Sequence, residues 1–160
     1  MFHIGNKVVY PAHGVGLIEA IEEKEVSGLK QSFYILRLLG SEMTIMVPTC
    51  SAERNGLREL IRPSDVPKVL EILKRNDLII CQNWNRRFKD NLERIKTGSP
   101  YEVAEVMRIL ILLQKERNLS FGEKKMLENV RQLLVMEICH AVDSGEEQIR
   151  LLIDEAVASA

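Results

Sequence analysis

The sequence has few cysteines, no long hydrophobic run and almost no net charge, and each absence excludes a class of protein. Its 160 residues include three cysteines, which lie far apart and form no Cys-x-x-Cys pair. A disulfide framework or a structural zinc site is therefore not expected. The longest apolar run, Ile109 to Leu113, is far too short to cross a bilayer, and the start of the chain lacks the pattern of a signal peptide. The composition indicates a protein of the reducing cytoplasm, without a membrane partner.

The motifs of common enzymes are also missing. The segment His13-Gly14-Val15-Gly16 lacks the further glycine, lysine and hydroxyl of a phosphate-binding loop. Cys139 and His140 are neighbours on a predicted helix, where adjacent side chains point in different directions, so a thiolate or metal site is not expected there. We therefore predict no catalytic residues, no metal, no cofactor and no small-molecule substrate.

The charges that are present are unevenly distributed. The formal net charge is -1, yet five cations and two acids lie between Trp84 and Lys96. A second basic segment, from Lys115 to Arg131, has five cations and three acids. Basic segments in a neutral chain permit a local phosphate-binding face, although basic helices are also common as solvated surfaces.

The first sixty residues have the pattern of strands. Short β-rich runs are separated by glycine- or proline-marked turns, one of them at His13-Gly14-Val15-Gly16. The runs lie at residues 7–10, 17–26, 32–39 and 43–47. Since no helical period occurs between them, the pattern predicts a small, strongly bent β-barrel of about five strands, like an SH3 or Tudor fold, over residues 1–62.

After Arg62-Pro63 the apolar residues recur with helical spacing. Ser99 and Ser120 each precede a glutamate by three residues, the pattern of a capping box, and Asn83 is placed to cap the helix that contains Trp84. These signals predict about five helices, near 66–76, 84–97, 100–117, 121–143 and 145–158. Their apolar stripes favour a compact bundle over residues 63–160. The chain is thus predicted to be an α+β protein of two domains, a Tudor/SH3-like barrel followed by a helical bundle.

The only tryptophan lies in the segment Asn83-Trp84-Asn85-Arg86-Arg87-Phe88-Lys89. An indole can wedge between base steps, asparagine can bond minor-groove acceptors and arginine can contact the flanking phosphates, so this is the chemistry of a nucleic-acid wedge. Helical spacing also relates four apolar residues, so the indole could instead begin a buried stripe formed by Trp84, Phe88, Leu92 and Ile95. The segment alone leaves both interpretations open.

Five segments occur in an order that is specific when they are taken together. They are Val8-Val9-Tyr10-Pro11-Ala12-His13-Gly14, Thr44-Ile45-Met46-Val47-Pro48, the tryptophan segment continued through Asn91-Leu92-Glu93, Val103-Ala104-Glu105-Val106, and Leu119-Ser120-Phe121-Gly122-Glu123-Lys124-Lys125-Met126-Leu127. With these segments the chain resembles the CarD family of bacterial transcription regulators over nearly its whole length. The first half alone also resembles the polymerase-interacting module of the transcription-repair coupling factor, which lacks this helical partner.

The resemblance implies an adaptor that binds RNA polymerase and promoter DNA. Its Tudor-like domain would dock on the polymerase β subunit, partly by joining strand edges, through Lys24, Thr44, Ile45, Met46, Val47 and Pro48. Some family members carry arginine where this chain has Met46, so the contact here would be apolar or shared with other cations. The partners implied are therefore the polymerase holoenzyme and DNA.

The resemblance also implies a role for the helical domain. It would touch promoter DNA at the upstream edge of the melted region, where Trp84 would wedge into the minor groove and prolong the open complex. Asn83 would cap the helix and orient the indole. Phosphate contacts would come from Arg86, Arg87, Lys89, Lys124 and Lys125, with Phe88, Leu92 and Ile95 buried beneath the indole.

Two other functions stay open on the residues alone. A polymerase-independent DNA-binding protein would show strong basicity or a helix-turn-helix, and neither is evident. A protein adaptor without DNA contact would make Trp84 dispensable. We expect a cytoplasmic protein, associated with the nucleoid through polymerase, that is a monomer or, as the alternative, a strand-swapped dimer.

Overall fold

The structure, a computed structural model that describes residues 1–77 and 79–159, divides into two compact units. The sheet unit comprises Met1–Leu60 and the helical unit comprises Ile61–Ala160. The prediction of an α+β chain with a strand-rich part followed by a helical part is confirmed. No helix in the described ranges is long and apolar enough to cross a membrane.

The described residues of the sheet unit form one antiparallel sheet of five strands, the number that was predicted. The strands are β1 (Lys7–Tyr10), β2 (Gly14–Val26), β3 (Leu29–Leu38), β4 (Thr44–Pro48) and β5 (Arg58–Glu59). Their order across the sheet is β4-β3-β2-β1-β5, so β4 and β5 lie at the edges. The register of β2 with β3 shifts between Ile18 and Ala20, and such a bulge bends the strand.

The turn predicted at His13-Gly14-Val15-Gly16 is wrong in its position. Gly14 already pairs with Tyr10 across β1 and β2, so the turn lies before it. Gly16 is required for another reason, because a Cβ at this position would lie 2.7 Å from side-chain atoms of Leu36. A glycine inside a strand here marks the close approach of a neighbouring side chain and not a change of chain direction.

The core of the sheet unit is apolar. Val8, Ile18 and Leu36 are completely enclosed, and no charged side chain among the described residues of this unit is buried. The cluster as a whole comprises Phe2, Val8, Ile18, Tyr34, Leu36, Leu38, Val47, Ala52 and Leu57. Removal of apolar surface from water is therefore the main interaction that stabilises this unit.

The helical unit contains five α-helices in its described residues, in agreement with the five predicted. They are α1 (Val66–Leu73), α2 (Trp84–Lys96), α3 (Pro100–Glu116), α4 (Phe121–Val142) and α5 (Glu146–Ala158), and a 3₁₀ turn at Pro63–Asp65 precedes α1. The first helix ends at Leu73, earlier than the expected end near residue 76. The other four ends lie within one residue of the predicted ones.

The predicted helix caps are present. The side chains of Asn83, Ser99 and Ser120 accept hydrogen bonds from backbone N–H groups three residues later, at donor–acceptor distances of 3.0, 3.5 and 3.2 Å. Each bond satisfies an N–H group that has no partner within its own helix. The starts of α2, α3 and α4 are therefore determined by local sequence.

Unlike the sheet unit, the helical unit encloses charged side chains. Arg108 on α3 is completely buried and donates to the carbonyl of Arg75 at 2.6 Å, to Asn76 Oδ1 at 2.8 Å and to the carbonyl of Val157 at 3.4 Å. Burial lowers the pKa of Arg108, but a guanidinium remains charged inside a protein. These bonds tie α3 to the residues that follow α1 and to the last turn of α5.

Candidate nucleic-acid interface

Trp84 is the first residue of α2, and its side chain is fixed without being buried. One face of the indole stacks on Phe88, with ring centroids 4.9 Å apart and planes 11° from parallel. The indole Nε1–H donates a hydrogen bond to Ser120 Oγ at 3.0 Å. Because the residue is still 42% exposed, the indole is neither a core side chain nor a freely moving one.

The stripe predicted beneath the indole is only partly correct. Ile95 is buried and Phe88 is partly buried, but Leu92 is 37% exposed. The buried face of α2 instead runs through Arg87, Asn91 and Ile95. A pattern search for apolar residues cannot find a face that carries an arginine and an asparagine.

Arg87 lies inside the helical unit. Its side chain is 4% exposed, and its guanidinium donates two hydrogen bonds to the carboxylate of Glu123, from Nε to Oε2 at 2.8 Å and from Nη2 to Oε1 at 3.1 Å. A third bond runs from Nη1 to the carbonyl of Cys81 at 2.8 Å. The expected phosphate contact is therefore wrong for Arg87, because its side chain is buried and three of its five N–H groups are bonded within the protein.

Both members of this buried pair have shifted pKa values. The hydrogen bonds to Glu123 raise the pKa of Arg87. Burial acts to raise the pKa of Glu123, but the hydrogen bonds and charge of Arg87, together with bonds from Ser120, outweigh it, so the pKa of Glu123 lies below its ordinary value. At neutral pH the two groups form a charged, bidentate link between α2 and α4.

The start of α4 lies beside the indole. A Cβ at Gly122 would lie 3.3 Å from the Phe88 ring and 4.0 Å from the indole, so a larger residue would press on the stacked pair. The preceding residue, Phe121, is 81% exposed, and Lys125 Nζ lies 5.8 Å from its ring centroid, within range of a cation–π contact.

Phe121 is not among the site residues predicted from the sequence. The available signal was its position immediately after the cap Ser120, where a large aromatic side chain has no preceding helical turn on which to pack.

Four of the predicted phosphate-binding cations lie on α2 and α4, the helices that carry these aromatic groups. All four are exposed, and within the described part of the chain none takes part in an ion pair; they are Arg86, Lys89, Lys124 and Lys125. Asn83 is also exposed, and its side-chain oxygen is the acceptor that caps α2. The starts of α2 and α4, which carry Trp84 and these cations, are together called the indole face below.

Five of the six residues expected to contact polymerase form β4, an edge strand of the sheet, and the sixth, Lys24, is on β2. Met46 is 43% exposed, and the Nζ atom of Lys24 on β2 lies 3.8 Å from its Sδ atom. Val47 is buried and Ile45 packs against the same core, so these two face inward. Thr44 is exposed and Pro48 partly so. The exposed side of β4 therefore presents a thioether and a free strand edge, and the ammonium group of Lys24 reaches the thioether from β2.

The indole face offers contacts for a ligand but no catalytic constellation. Its exposed groups are aromatic rings, cations and an amide. Among residues 1–77 and 79–159, no group of three or more His, Cys, Asp or Glu side chains is placed to hold a metal ion. The arrangement suits recognition of an anionic polymer that also has flat, stackable groups.

Comparison with protein-family models assigns both units. Residues 2–61 match the CarD-like/TRCF RID domain, and residues 68–154 match the C-terminal domain of CarD. The chain belongs to the CarD family. CarD-family proteins are in general transcription factors that interact with RNA polymerase, and not enzymes. The resemblance inferred from the sequence is thereby confirmed.

A curated relative that spans both units agrees with this assignment. YdeB of Bacillus subtilis (strain 168), which is named as a proposed transcription factor, is 39% identical over 150 residues, covering 94% of this chain and 98% of the relative. A solved structure, "CdnLNt from Myxoccoccus xanthus", is 49% identical, covers 38% of this chain and 86% of that chain, and has a TM-score of 0.34. The similarity to YdeB spans both units, as expected of a CarD-family protein.

Proposed function

We propose that this CarD-family protein binds the RNA polymerase β subunit through its sheet unit and prolongs the promoter open complex through its helical unit. In this proposal Trp84 enters the minor groove at the upstream edge of the melted region and slows reannealing. The protein acts as a monomer in the cytoplasm, associated with the nucleoid through polymerase.

The observation that supports this proposal best is the state of Trp84. Phe88 covers one face of the indole and Ser120 binds its N–H, while the residue remains 42% exposed. An indole with one covered face suits stacking on the last base pair of a duplex better than insertion between two pairs. Stacking of a base on an aromatic side chain contributes on the order of 1–3 kcal/mol, and about 1.4 kcal/mol changes an equilibrium tenfold. One side chain can therefore change the stability of an open complex appreciably.

The charges of the indole face support contact with the DNA backbone. Arg86 and Lys89 follow the tryptophan by two and five residues on α2, and Lys124 and Lys125 lie in the first turn of α4. Free backbone N–H groups and the helix dipole at the start of α4 also favour a phosphate. Lysine at that position is mildly unfavourable for the helix itself, so an anionic partner would relieve a local conflict.

The sheet unit supports the polymerase contact. An edge strand has a row of backbone groups that can pair with a strand of another protein, and this mode of binding recurs widely. In the described residues β4 pairs with β3 on one side only. The Lys24 side chain reaches Met46 on this edge strand from β2, so an apolar contact flanked by a cation would replace the ion pair of members with arginine there.

The test is the lifetime of open complexes formed by a bacterial RNA polymerase holoenzyme on a ribosomal-type promoter. We expect wild-type protein at saturation to lengthen the lifetime and Trp84→Ala to lose most of that extension. Leu151→Ala, which removes another exposed apolar side chain far along the chain, should behave like wild type. If Trp84→Ala lengthens the lifetime as much as wild type, the wedge is wrong and basic contacts carry the effect. If neither protein has an effect, an adaptor without DNA contact becomes the better interpretation.

A further inference from the structure

We propose that Ser120 is a positioning residue that sets the orientation in which the indole of Trp84 meets DNA. Arg87 and Glu123 act through it by orienting its hydroxyl. This inference rests on the function proposed above, and it assigns a role to three residues that do not themselves touch the nucleic acid.

The hydroxyl of Ser120 uses its full capacity for hydrogen bonds. A serine hydroxyl has one hydrogen to donate and two lone pairs that accept. Its hydrogen is directed to Glu123 Oε1, 3.1 Å away, and its oxygen accepts from the Glu123 backbone N–H at 3.2 Å and from the indole N–H at 3.0 Å. Because the first two bonds fix the rotation of the hydroxyl, the remaining lone pair points at the indole.

Glu123 is itself held by the helix that carries the tryptophan. Its side chain is 2% exposed, and its carboxylate receives the two hydrogen bonds from Arg87. Since Arg87 follows Trp84 by three residues on α2, the contacts close a ring that runs from Trp84 to Ser120, to Glu123, to Arg87 and back to Trp84. Each member of a closed ring limits the movement of the next.

Fixing the indole in advance lowers the entropy that binding would otherwise cost. An aromatic side chain ordered only on contact loses rotamer freedom at that moment, and binding is weakened accordingly. Phe88 restrains the indole from one face, but a stacked contact permits sliding and rotation in its plane. The hydrogen bond to Ser120 adds the directional restraint that stacking does not provide.

A second serine offers a matched comparison for this role. Ser99 caps α3 as Ser120 caps α4, and each is followed three residues later by a glutamate whose N–H it binds. Removal of either hydroxyl deletes one helix cap, but only removal at position 120 deletes the bond to the indole. Ser99→Ala is therefore the control for the loss of a cap.

The first experiment measures the mobility of the indole in the free, full-length protein. Trp84 is the only tryptophan, so time-resolved fluorescence anisotropy reports on it alone. We expect a larger amplitude of fast local motion in Ser120→Ala and in Ser120→Gly, and a decay like that of wild type in Ser120→Thr and Ser99→Ala. Ser120→Gly is included because glycine at a cap destabilises a helix by only a few tenths of a kcal/mol relative to serine. Unchanged decays in both Ser120→Ala and Ser120→Gly would overturn the inference.

The second experiment measures open-complex lifetimes with the same variants beside Trp84→Ala. Loss of one hydrogen bond costs about 1 kcal/mol, which is about fivefold in an equilibrium. We therefore expect Ser120→Ala and Ser120→Gly to extend the open-complex lifetime by about one fifth of the factor seen with wild type. Ser120→Thr and Ser99→Ala should give the full extension. If Trp84→Ala abolishes the extension and both hydroxyl deletions keep it in full, the role of Ser120 is wrong and the proposed function stands. If Trp84→Ala keeps the full extension, the proposed function and this inference fail together.

Discussion

The two units of this protein differ in what their interiors contain. The sheet unit buries apolar side chains, whereas the helical unit also encloses Arg87, Arg108, Glu123 and Glu137. In the sheet unit the exposed candidate residues, Lys24, Thr44 and Met46, do not depend on any buried charge. In the helical unit the candidate functional tryptophan bonds the partly buried Ser120, which in turn bonds the buried pair of Glu123 and Arg87. We infer that recognition in the helical unit is sensitive to substitutions inside the protein, while recognition in the sheet unit is sensitive mainly to substitutions on its surface.

The largest expected loss of unfolding free energy follows substitution of Glu123 in the buried pair of the helical unit. Glu123→Ala would leave the guanidinium of Arg87 buried without its partner, a change that typically destabilises a protein by about 3–5 kcal/mol. Urea unfolding followed by Trp84 fluorescence measures this loss. Glu128→Ala, at an exposed position of the same helix, should change the free energy of unfolding by no more than about 0.5 kcal/mol.

A further variant separates loss of charge from loss of packing. The double change Arg87→Met with Glu123→Leu replaces the pair by apolar groups and should recover most of the stability, but not the orientation of the indole. A loss below about 1 kcal/mol in Glu123→Ala would show that the pair is not the structural link described above.

In the interior of the sheet unit, the substitution comparable to Glu123→Ala removes an apolar side chain. Leu36 is completely buried, and Leu36→Ala should cost about 3 kcal/mol through lost burial and the cavity left behind. Hydrogen exchange of the β2 and β3 amide groups measures the effect. Leu29→Ala on the same strand removes a side chain that is 74% exposed, so little change is expected. Equal effects of the two substitutions would contradict the assignment of the core.

Acid should weaken the helical unit through the same buried pair. Because the folded-state pKa of Glu123 is depressed, its contribution is fully present above the pKa of an unfolded glutamate, about 4.3. That contribution is lost as the pH falls through the lower folded-state pKa. The difference in unfolding free energy between wild type and Glu123→Gln should therefore be constant from pH 7 to about pH 5 and shrink below pH 4. A difference that persists unchanged to pH 3 would mean that the charge of Glu123 is not what matters.

The smallest expected effect on stability belongs to the edge of the sheet unit. Lys24→Glu combined with Met46→Glu changes exposed side chains, so the free energy of unfolding should stay within about 0.5 kcal/mol of wild type. Co-purification with RNA polymerase should nevertheless be lost, because an apolar and cationic edge becomes acidic. Lys30→Glu, an exposed position on β3, serves as the control. Retained co-purification would show that polymerase docks elsewhere.

Local sequence was sufficient to predict the helices and their caps. Asn83, Ser99 and Ser120 were identified because a cap residue acts on N–H groups only two or three positions away. The strands were predicted from the same short-range signals. The turn was misplaced because Gly16 is needed for close packing against Leu36, a residue distant in sequence. The helices, caps and strands were predictable because they depend on residues that are neighbours in the sequence.

The interior of the candidate site could not be predicted in this way. Arg87 and Glu123 are 36 residues apart. From the sequence, Arg87 has the pattern of a surface charge and Glu123 that of the last residue in the capping box of Ser120. Their pairing depends on how α2 and α4 pack, for which a single sequence contains no local signal. For the same reason the buried stripe was assigned to Leu92 and not to Arg87 and Asn91.

The entry of Trp84 into promoter DNA is tested most directly by locating this residue on the promoter. The photoreactive substitution Trp84→p-benzoylphenylalanine would be introduced into the full-length protein, and crosslinks would be mapped in open complexes formed with RNA polymerase. We expect crosslinks confined to one or two positions at the upstream edge of the melted region, and none to DNA from the same residue placed at Leu151. Crosslinks that go only to polymerase, or that scatter along the duplex, would contradict this expectation.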